Sequence, residues 1–276
     1  MVRHTTLWAP LALPLVIVCA CAGPSATDRA RALDRQGRVE QAVALLEARL
    51  DAHPDDVQAR RLLVRLLGVT GDLPRARAQA EELSRQLGPS DPSPYLELGH
   101  ALELAHRYDE ALAAYDEAAT AAPASPAGPR EGGLRCARWG EVSDARPRLE
   151  EAVRRGANDA ETWHALGLVR VHQGDFAAAE QAYRALAALD PHAPEAWLGL
   201  ATVAVAQGDA ARALAAYDEL LARRPRLASA ELGRAWALAK LGRRDDAARA
   251  LDRAEQMGAP AVNVARQRAA LAATAP

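Results

Sequence analysis

Two adjacent segments of this 276-residue chain follow the same 34-residue pattern. Residues 160–193 read AETWHALGLVRVHQGDFAAAEQAYRALAALDPHA, and residues 194–227 read PEAWLGLATVAVAQGDAARALAAYDELLARRPRL. Both have Trp at position 4, Leu at 7, Gly at 15, Ala at 20, Tyr at 24 and Pro at 32. Small residues at positions 8 and 20 allow two antiparallel helices to approach closely, and larger residues at 4, 7, 11 and 24 fill the space beside that contact. Because Pro at 32 ends the second helix, each segment is predicted to be one helix-turn-helix unit.

The same phase extends in both directions from these two segments. Residues 92–125 match it through Tyr95, Gly99, Ala111 and Tyr115, and the remaining segments match it more weakly. The seven predicted units are 23–56, 57–91, 92–125, 126–159, 160–193, 194–227 and 228–261. Residues 262–273 then read as a single amphipathic helix that covers the apolar face of the last unit as a cap.

This pattern resembles the tetratricopeptide repeat, and the resemblance covers nearly the whole chain after residue 22. It implies an all-α fold, a right-handed α-solenoid of about seven helix-turn-helix units with a C-terminal capping helix. It also implies a protein partner, an extended peptide or a helix, bound in a concave groove. The composition agrees with this fold, because half of the residues are apolar and only one is Phe, as expected of amphipathic helices packed through small side chains.

The N-terminal segment has the layout of an export signal. Residues 1–20 contain a short apolar run after a basic start, too short to span a bilayer comfortably. The sequence VCAC at 18–21 resembles the bacterial lipobox. This resemblance implies a lipid attachment site at residues 21–22, with Cys21 acylated. Several acyl chains would make membrane attachment effectively permanent. Cleavage after Ala22, which also fits the A-x-A rule, is the alternative and would release a soluble exported binding module.

The location and role are expected to follow from that anchor. Ala22 after the acylated cysteine favours the outer membrane over the inner one, by analogy with lipoprotein sorting in Gram-negative bacteria. The chain would then face the periplasm as a scaffold or adaptor. Its layout is similar to that of pilotin lipoproteins, which assist assembly of the pilus secretin, and of lipoproteins that scaffold cell-wall hydrolases.

The predicted groove consists of residues on the first helix of each unit. Positions 2, 5, 6, 9, 12 and 13 form the stripe opposite the packing positions, and they change from charged to apolar along the chain. In the N-terminal half they are Arg31, Arg61, Arg65, Glu97, His100, Glu103, Arg130 and Glu131. In the C-terminal half they are Leu134, His164, Leu168, Val171, His172, Leu198, Thr202, Leu232 and Trp236.

Two features of this groove have alternative interpretations. Trp236 either meets a partner, as an exposed tryptophan usually does, or packs against the capping helix. Arg61 and Arg65 lie one helical turn apart, so they either fork onto a carboxylate or form ion pairs with acidic neighbours.

The unit at 126–159 departs from the pattern. Pro129 replaces the aromatic residue at position 4, Gly132 and Gly133 weaken the first helix, and Pro147 falls near the start of the second. A loosened or kinked unit is predicted there, either as an irregularity tolerated by the array or as a hinge.

Candidate sites for chemistry are weak, and no catalytic residue, metal or cofactor is expected. His164 and His172 lie eight residues apart, roughly 12 Å along one helix, too far to share a metal ion. Cys136 falls at a packing position. The net charge is −2 and no basic stripe is present, which argues against a nucleic-acid partner. A small-ligand receptor or an enzyme is the alternative, and it would require a closed pocket with convergent polar groups.

Overall fold

The structure is a computed structural model that describes residues 24–273, and these residues form fifteen helices and no strand. The helices are α1 (Ala26–Arg35), α2 (Val39–Ala52), α3 (Val57–Thr70), α4 (Leu73–Leu87), α5 (Ser93–Leu104), α6 (Tyr108–Ala121), α7 (Ala127–Trp139), α8 (Val142–Arg154), α9 (Ala160–His172), α10 (Phe176–Leu189), α11 (Pro194–Ala206), α12 (Ala210–Arg223), α13 (Ala228–Lys240), α14 (Arg244–Gln256) and α15 (Ala261–Ala273). The predicted all-α fold class is confirmed.

The first fourteen helices form seven hairpins stacked in chain order. Each odd-numbered helix packs against the even-numbered helix that follows it, and each hairpin packs against the next. Long-range contacts join only neighbouring hairpins, which is the arrangement of a solenoid with about seven helix pairs. Helix α15 contacts α13 and α14 at the C-terminal end, where Val264 is buried and Val262 is exposed.

Three turns inside the hairpins contain a Gly-Asp pair: those between α3 and α4, between α9 and α10, and between α11 and α12. The turn between α9 and α10 illustrates its role. Gly174 has a φ of 73°, in the left-handed region that glycine adopts without a steric penalty. Asp175 follows it, and its carboxylate accepts a hydrogen bond from the Ala178 N–H. Because this bond satisfies one of the free N–H groups at the start of α10, the Gly-Asp pair both ends one helix and begins the next.

The tyrosine at position 24 of the unit at 160–193 packs against its own unit and against the following one. Tyr183 is 2% exposed, and a Cβ added to Gly167 in the same unit would lie 2.7 Å from its Cε1 atom. A Cβ on Gly199, at position 6 of the next unit, would also overlap the Tyr183 ring. The sequence pattern predicts that position 6 faces the groove. In this unit, however, position 6 is the buried Gly199, which packs between two hairpins.

Both helices of the irregular unit are continuous. Helix α7 runs through Gly132 and Gly133, and α8 runs through Pro147. A Cβ on Gly133 would lie 2.9 Å from the backbone nitrogen of Leu149. The glycine therefore allows α7 and α8 to approach closely, which offsets its low helix propensity. The loosening expected of this unit does not take the form of a break in either helix, and a hinge here stays a prediction.

The predicted signal at residues 1–20, the attachment site with Cys21 and the cleavage site after Ala22 lie outside the described residues. Within residues 24–273, no helix is both long enough and apolar enough to cross a membrane.

Candidate functional site

The odd-numbered helices form one continuous face of the solenoid, here called the inner surface. Helix α3 contacts α1 and α5, and α7 and α9 continue the series to α11. Within the described part of the chain, successive even-numbered helices make no comparable contacts. Because the odd-numbered helices lie closer together than the even-numbered ones, the array curves with the odd-numbered helices on its inside. The predicted groove residues all lie on these helices.

The N-terminal end of the inner surface contains a small basic pocket of about 150 Å³, here called the arginine pocket. Its lining residues are Arg31, Gln58, Arg61, Leu62, Arg65 and Glu97. The Arg65 guanidinium lies 2.7 Å from the Glu97 carboxylate, so this arginine forms an ion pair with an acidic neighbour. Arg61 behaves differently: its Nε is buried and has no hydrogen-bond partner. Of the two arginines that the sequence pattern treats as a pair, Arg65 therefore has an acidic partner, and Arg61 has none in this part of the chain.

The middle of the inner surface is an ion-pair network centred on Arg130. Its guanidinium donates to both oxygens of Asp159, at 2.9 and 3.0 Å, and lies 2.6 Å from Glu131 and 2.9 Å from Glu161. Since Asp159 precedes α9 and Arg130 lies on α7, these contacts connect two successive units. Hydrogen bonding to Arg130, together with the bonds from Thr162, lowers the pKa of Asp159 to about 2.

Four predicted groove residues are engaged within this network, namely His100, Glu103, Arg130 and Glu131. His100 lies 3.6 Å from Glu131, and Arg130 has the three carboxylate partners just described. The network continues through Arg135, which lies 2.6 Å from Glu103. The His100 ring, followed by the charges of Arg135 and Arg130, lowers the pKa of Glu131, which keeps this carboxylate charged. Arg130 is therefore held by three carboxylates of the chain itself, and its role as a partner contact stays a prediction.

The C-terminal half of the inner surface is more apolar and begins with an open depression of about 480 Å³ between α7 and α9, here called the α7–α9 depression. Its lining includes Leu134, Ala137, Arg138, Glu161, His164, Leu168 and His172. Leu168 is 42% exposed. His164 is half-buried, with its ring centroid 6.4 Å from that of Tyr183. His164, Leu168 and His172 therefore line the same depression on one side of α9. No group of three potential metal ligands occurs in the described range.

Leu134 is a correction to the predicted groove. It is 5% exposed and belongs to the hydrophobic cluster that contains Leu149 and Leu166. Only its edge reaches the α7–α9 depression. Position 9 faces a neighbouring helix here because the glycines of α7 draw that helix close to α8.

Farther along, Leu198 on α11 is 45% exposed, whereas the Thr202 hydroxyl donates to the Leu198 carbonyl at 2.8 Å. Leu232 and Trp236 on α13 are half-buried against the C-terminal hydrophobic cluster, which includes Val264 of α15. This packing favours the interpretation of Trp236 as a packing residue, and contact with a partner through its exposed part stays a prediction.

The sequence interpretation missed an apolar pocket of about 350 Å³ between α10, α11 and α12. Trp197 and Leu200 line it together with Val203 and four alanines, and two arginines and two glutamates complete the lining. The Trp197 indole donates to the Pro191 carbonyl at 3.0 Å, and the Arg223 guanidinium lies 4.6 Å from its ring centre. Positions 4 and 7 were assigned to packing, but the alanines are too small to fill the space. The alanine-rich sequences of α10 and α12 were the available signal.

The fold and this surface define a helical-repeat scaffold for protein interaction. The tetratricopeptide repeat profile matches residues 27–92, 63–126, 138–194, 164–228 and 198–262. The chain belongs to the tetratricopeptide repeat family. Proteins of this family are generally scaffolds without enzymatic activity.

Solved structures with the same architecture support the family assignment at the level of the fold. The structure of YrrB, described as a TPR protein with an unusual peptide-binding site, is 19% identical, covers 67% of this chain and 95% of its own, and has a TM-score of 0.61. The C-terminal part of a TPR repeat-containing protein from Cytophaga hutchinsonii is 14% identical, covers 87% and 98%, and has a TM-score of 0.67. MamA is 23% identical, covers 60% and 91%, and has a TM-score of 0.57. A comparison with curated proteins gives no match.

Proposed function

We propose that this chain is a scaffold that holds a segment of a partner protein along its inner surface, over the α7–α9 depression and the neighbouring Leu198. The observation that carries the proposal is the pair of exposed leucines on successive odd-numbered helices. Leu168 is 42% exposed and Leu198 is 45% exposed. Large apolar side chains that are exposed on successive helices of one face, one of them in an open depression, are typical of a protein-binding site.

The surroundings of these leucines fit an interface better than a reaction site. Arg138 and Glu161 stand beside the apolar part of the α7–α9 depression, so an apolar centre has a polar rim, as in many protein interfaces. The depression is open, whereas a catalytic site usually needs an enclosed pocket where several polar groups converge. The published description of YrrB, a relative in fold, as having a peptide-binding site is consistent with a peptide-like ligand.

Photo-crosslinking in living cells tests this proposal with a matched control. Leu189 on α10 is 42% exposed, the same as Leu168, but it lies on an even-numbered helix. A photoreactive residue at 168 or 198 is expected to give the same discrete adduct, and one at 189 is expected to give none. Purified partner should then bind the unmodified chain directly. An adduct from 189 alone would contradict the proposed surface.

We further propose that the chain is attached to the outer membrane through acyl chains on Cys21 and faces the periplasm. The lipobox-like VCAC at 18–21 supports this, and α1 begins at Ala26, only five residues after Cys21, so the repeat array would lie close to the membrane. By analogy with other lipoproteins of this layout, the scaffold would assist an envelope assembly such as a pilus secretin or cell-wall machinery.

Metabolic labelling with palmitate tests the anchor. The wild-type chain is expected to incorporate label and to fractionate with the outer membrane, and Cys21→Ser is expected to lose both. An unlabelled, soluble wild-type chain whose mature N-terminus is Gly23 would instead establish cleavage after Ala22. Because the crosslinking experiment reads a different property, either proposal can fail without the other.

A further inference from the structure

The arginine pocket has a charge imbalance that the chain itself does not neutralise. Among the described residues, three arginines line it and Glu97 is the only acidic residue in its lining. Glu97 pairs with Arg65, and Arg31 lies 3.3 Å from Asp28 at the exposed end of α1. Arg61, between them, has no ion-pair or hydrogen-bond partner within residues 24–273, and its Nε is buried. The pocket therefore retains one uncompensated positive charge on a group that needs an acceptor.

The unpaired, partly buried Arg61 contrasts with the arginines in the middle of the inner surface. Arg130 and Arg135 in the middle of the surface each contact two or more carboxylates. A guanidinium N–H removed from water without an acceptor is destabilising, and nearby positive charges add to that effect. Such a group is expected to be kept where a ligand from outside supplies the missing acceptor.

The size and geometry of the pocket limit what that ligand can be. At about 150 Å³ it is smaller than the 300–1,000 Å³ typical of sites for cofactors or drug-sized molecules, so a single side chain fits it better. Arg61 and Arg65 are separated by one turn of α3, so their guanidinium groups can approach the same planar group from one side. A carboxylate matches the fork of donors on a guanidinium in both charge and shape.

We propose that the arginine pocket binds the carboxylate of a glutamate or aspartate in the partner segment, with Arg61 as its principal donor. This inference rests on the proposed function, because it names the chemistry of the segment that lies on the inner surface. Glu97 holds Arg65 in place beside the incoming carboxylate. The partner segment is then acidic where it crosses α1 and α3 and apolar where it crosses α9 and α11.

The stacking of the helices gives the spacing of these two features. Three steps separate α3 from α9 in the series of odd-numbered helices, and helices pack at about 8–10 Å. The distance is therefore roughly 24–30 Å, which an extended chain covers in about eight residues at about 3.3 Å per residue. An acidic residue and an apolar residue about eight positions apart are the expected signature of the partner.

Fluorescence anisotropy with a designed peptide tests this proposal on the full-length chain. The probe is a fluorescein-labelled Gly/Ser peptide with two adjacent glutamates and, eight residues on, two adjacent leucines; the matched peptide has glutamines in place of the glutamates. The wild-type chain is expected to bind the glutamate peptide about tenfold more tightly than the glutamine peptide. Arg61→Gln is expected to remove that difference and to leave the affinity for the glutamine peptide unchanged.

Two protein controls separate local recognition from general charge and from misfolding. Arg29→Gln removes the same charge from α1, but Arg29 does not line the pocket, so the preference for glutamate should persist. Arg61→Lys keeps the charge and loses the fork, so partial loss of the preference is expected with an unchanged thermal transition. An equal loss in Arg29→Gln, or no loss in Arg61→Gln, would overturn the proposal, as would a wild-type chain that does not bind the glutamate peptide.

Two further outcomes identify which part of the account has failed. Leu168→Asp should weaken both peptides equally, because it acts at the apolar end of the surface. If Leu168→Asp weakens binding while Arg61→Gln has no effect, the proposed carboxylate site fails and the proposed function stands. If Arg61→Gln removes the preference for glutamate and Leu168→Asp has no effect, the carboxylate site stands and the proposed apolar binding surface fails. Inorganic phosphate that displaces the glutamate peptide at concentrations where acetate does not would overturn the carboxylate assignment.

Discussion

Replacing Asp159 should separate two contributions that this one carboxylate makes to stability. It accepts two hydrogen bonds from Arg130 of α7, and it also caps α9 by accepting from the Thr162 N–H at 3.0 Å. Asp159→Asn keeps an oxygen for the cap and removes the charge, whereas Asp159→Ala removes both. The two variants therefore form a graded series at one position.

The pKa of Asp159 gives the size of the charge contribution. A pKa of about 2 instead of the ordinary 3.8 corresponds to roughly 2 kcal/mol of unfolding free energy. The Asp159 side chain is 38% exposed, so solvent screens the pair and about 1 kcal/mol is the expected loss in Asp159→Asn. Losing the cap adds about 1 kcal/mol, so Asp159→Ala should be destabilised by about 2 kcal/mol.

The pH dependence of this effect has a defined direction. Because folding lowers the pKa, the ionised carboxylate stabilises the chain above about pH 4, and this contribution disappears as the pH falls from about 4 to about 2. Urea unfolding followed by circular dichroism should therefore show wild type and Asp159→Asn differing by about 1 kcal/mol at pH 7 and converging near pH 2. A difference that is absent at pH 7, or that is unchanged at pH 2, would refute this reasoning.

Three other predictions concern packing and reactivity. Tyr115→Phe removes a hydroxyl that donates to a glutamate of α5 at 2.6 Å, so it should lower the unfolding free energy by about 1–2 kcal/mol. The Tyr183 hydroxyl makes no such bond within the described residues, so Tyr183→Phe should change the unfolding free energy by only a few tenths of a kcal/mol. Equal losses for the two variants in urea unfolding would contradict this prediction. Gly133→Ala places a Cβ 2.9 Å from a backbone nitrogen of α8 and should destabilise the folded chain by about 1–3 kcal/mol. Gly132→Ala should be tolerated, because its Cβ meets the flexible side chain of an arginine at 3.2 Å. The opposite order of stability in thermal melts would rule out the close contact between α7 and α8. Burial raises the pKa of the Cys136 thiol to about 11, so it should resist a thiol reagent at pH 8 until urea unfolds the chain, and rapid labelling of the folded protein would show that the site is open.

The sequence pattern predicts the helix hairpins and their order because each unit repeats the same short-range packing. In the unit at 160–193, small residues face one another, Tyr183 fills the space beside them, and a Gly-Asp turn begins the second helix. These interactions are set by spacing within 34 residues, so periodicity reveals them. The second contact of Tyr183, with Gly199 of the next unit, was not predicted, because a pattern within one unit does not specify what the neighbouring unit brings against it.

The composition of the inner surface was predictable in trend and less so in detail. The change from charged to apolar residues along the chain follows from the sequence positions. The partners of each charge do not follow from them. Arg130 is satisfied by residues 1 to 31 positions away, whereas the buried Nε of Arg61 has no hydrogen-bond partner within the described range. The sequence pattern assigned Leu134 and Trp236 to the groove face, but neighbouring helices and α15 cover much of both.

The most direct test of the inner surface as the partner-binding face compares Leu168→Asp with Leu189→Asp. Both leucines are 42% exposed, and the substitution introduces the same charge into each. They differ in lying on α9, an odd-numbered helix, and α10, an even-numbered one. Isothermal titration with the purified partner identified by crosslinking should show binding at least tenfold weaker for Leu168→Asp and unchanged for Leu189→Asp. Equal affinities for the two variants, or the opposite order, would contradict the inner-surface account.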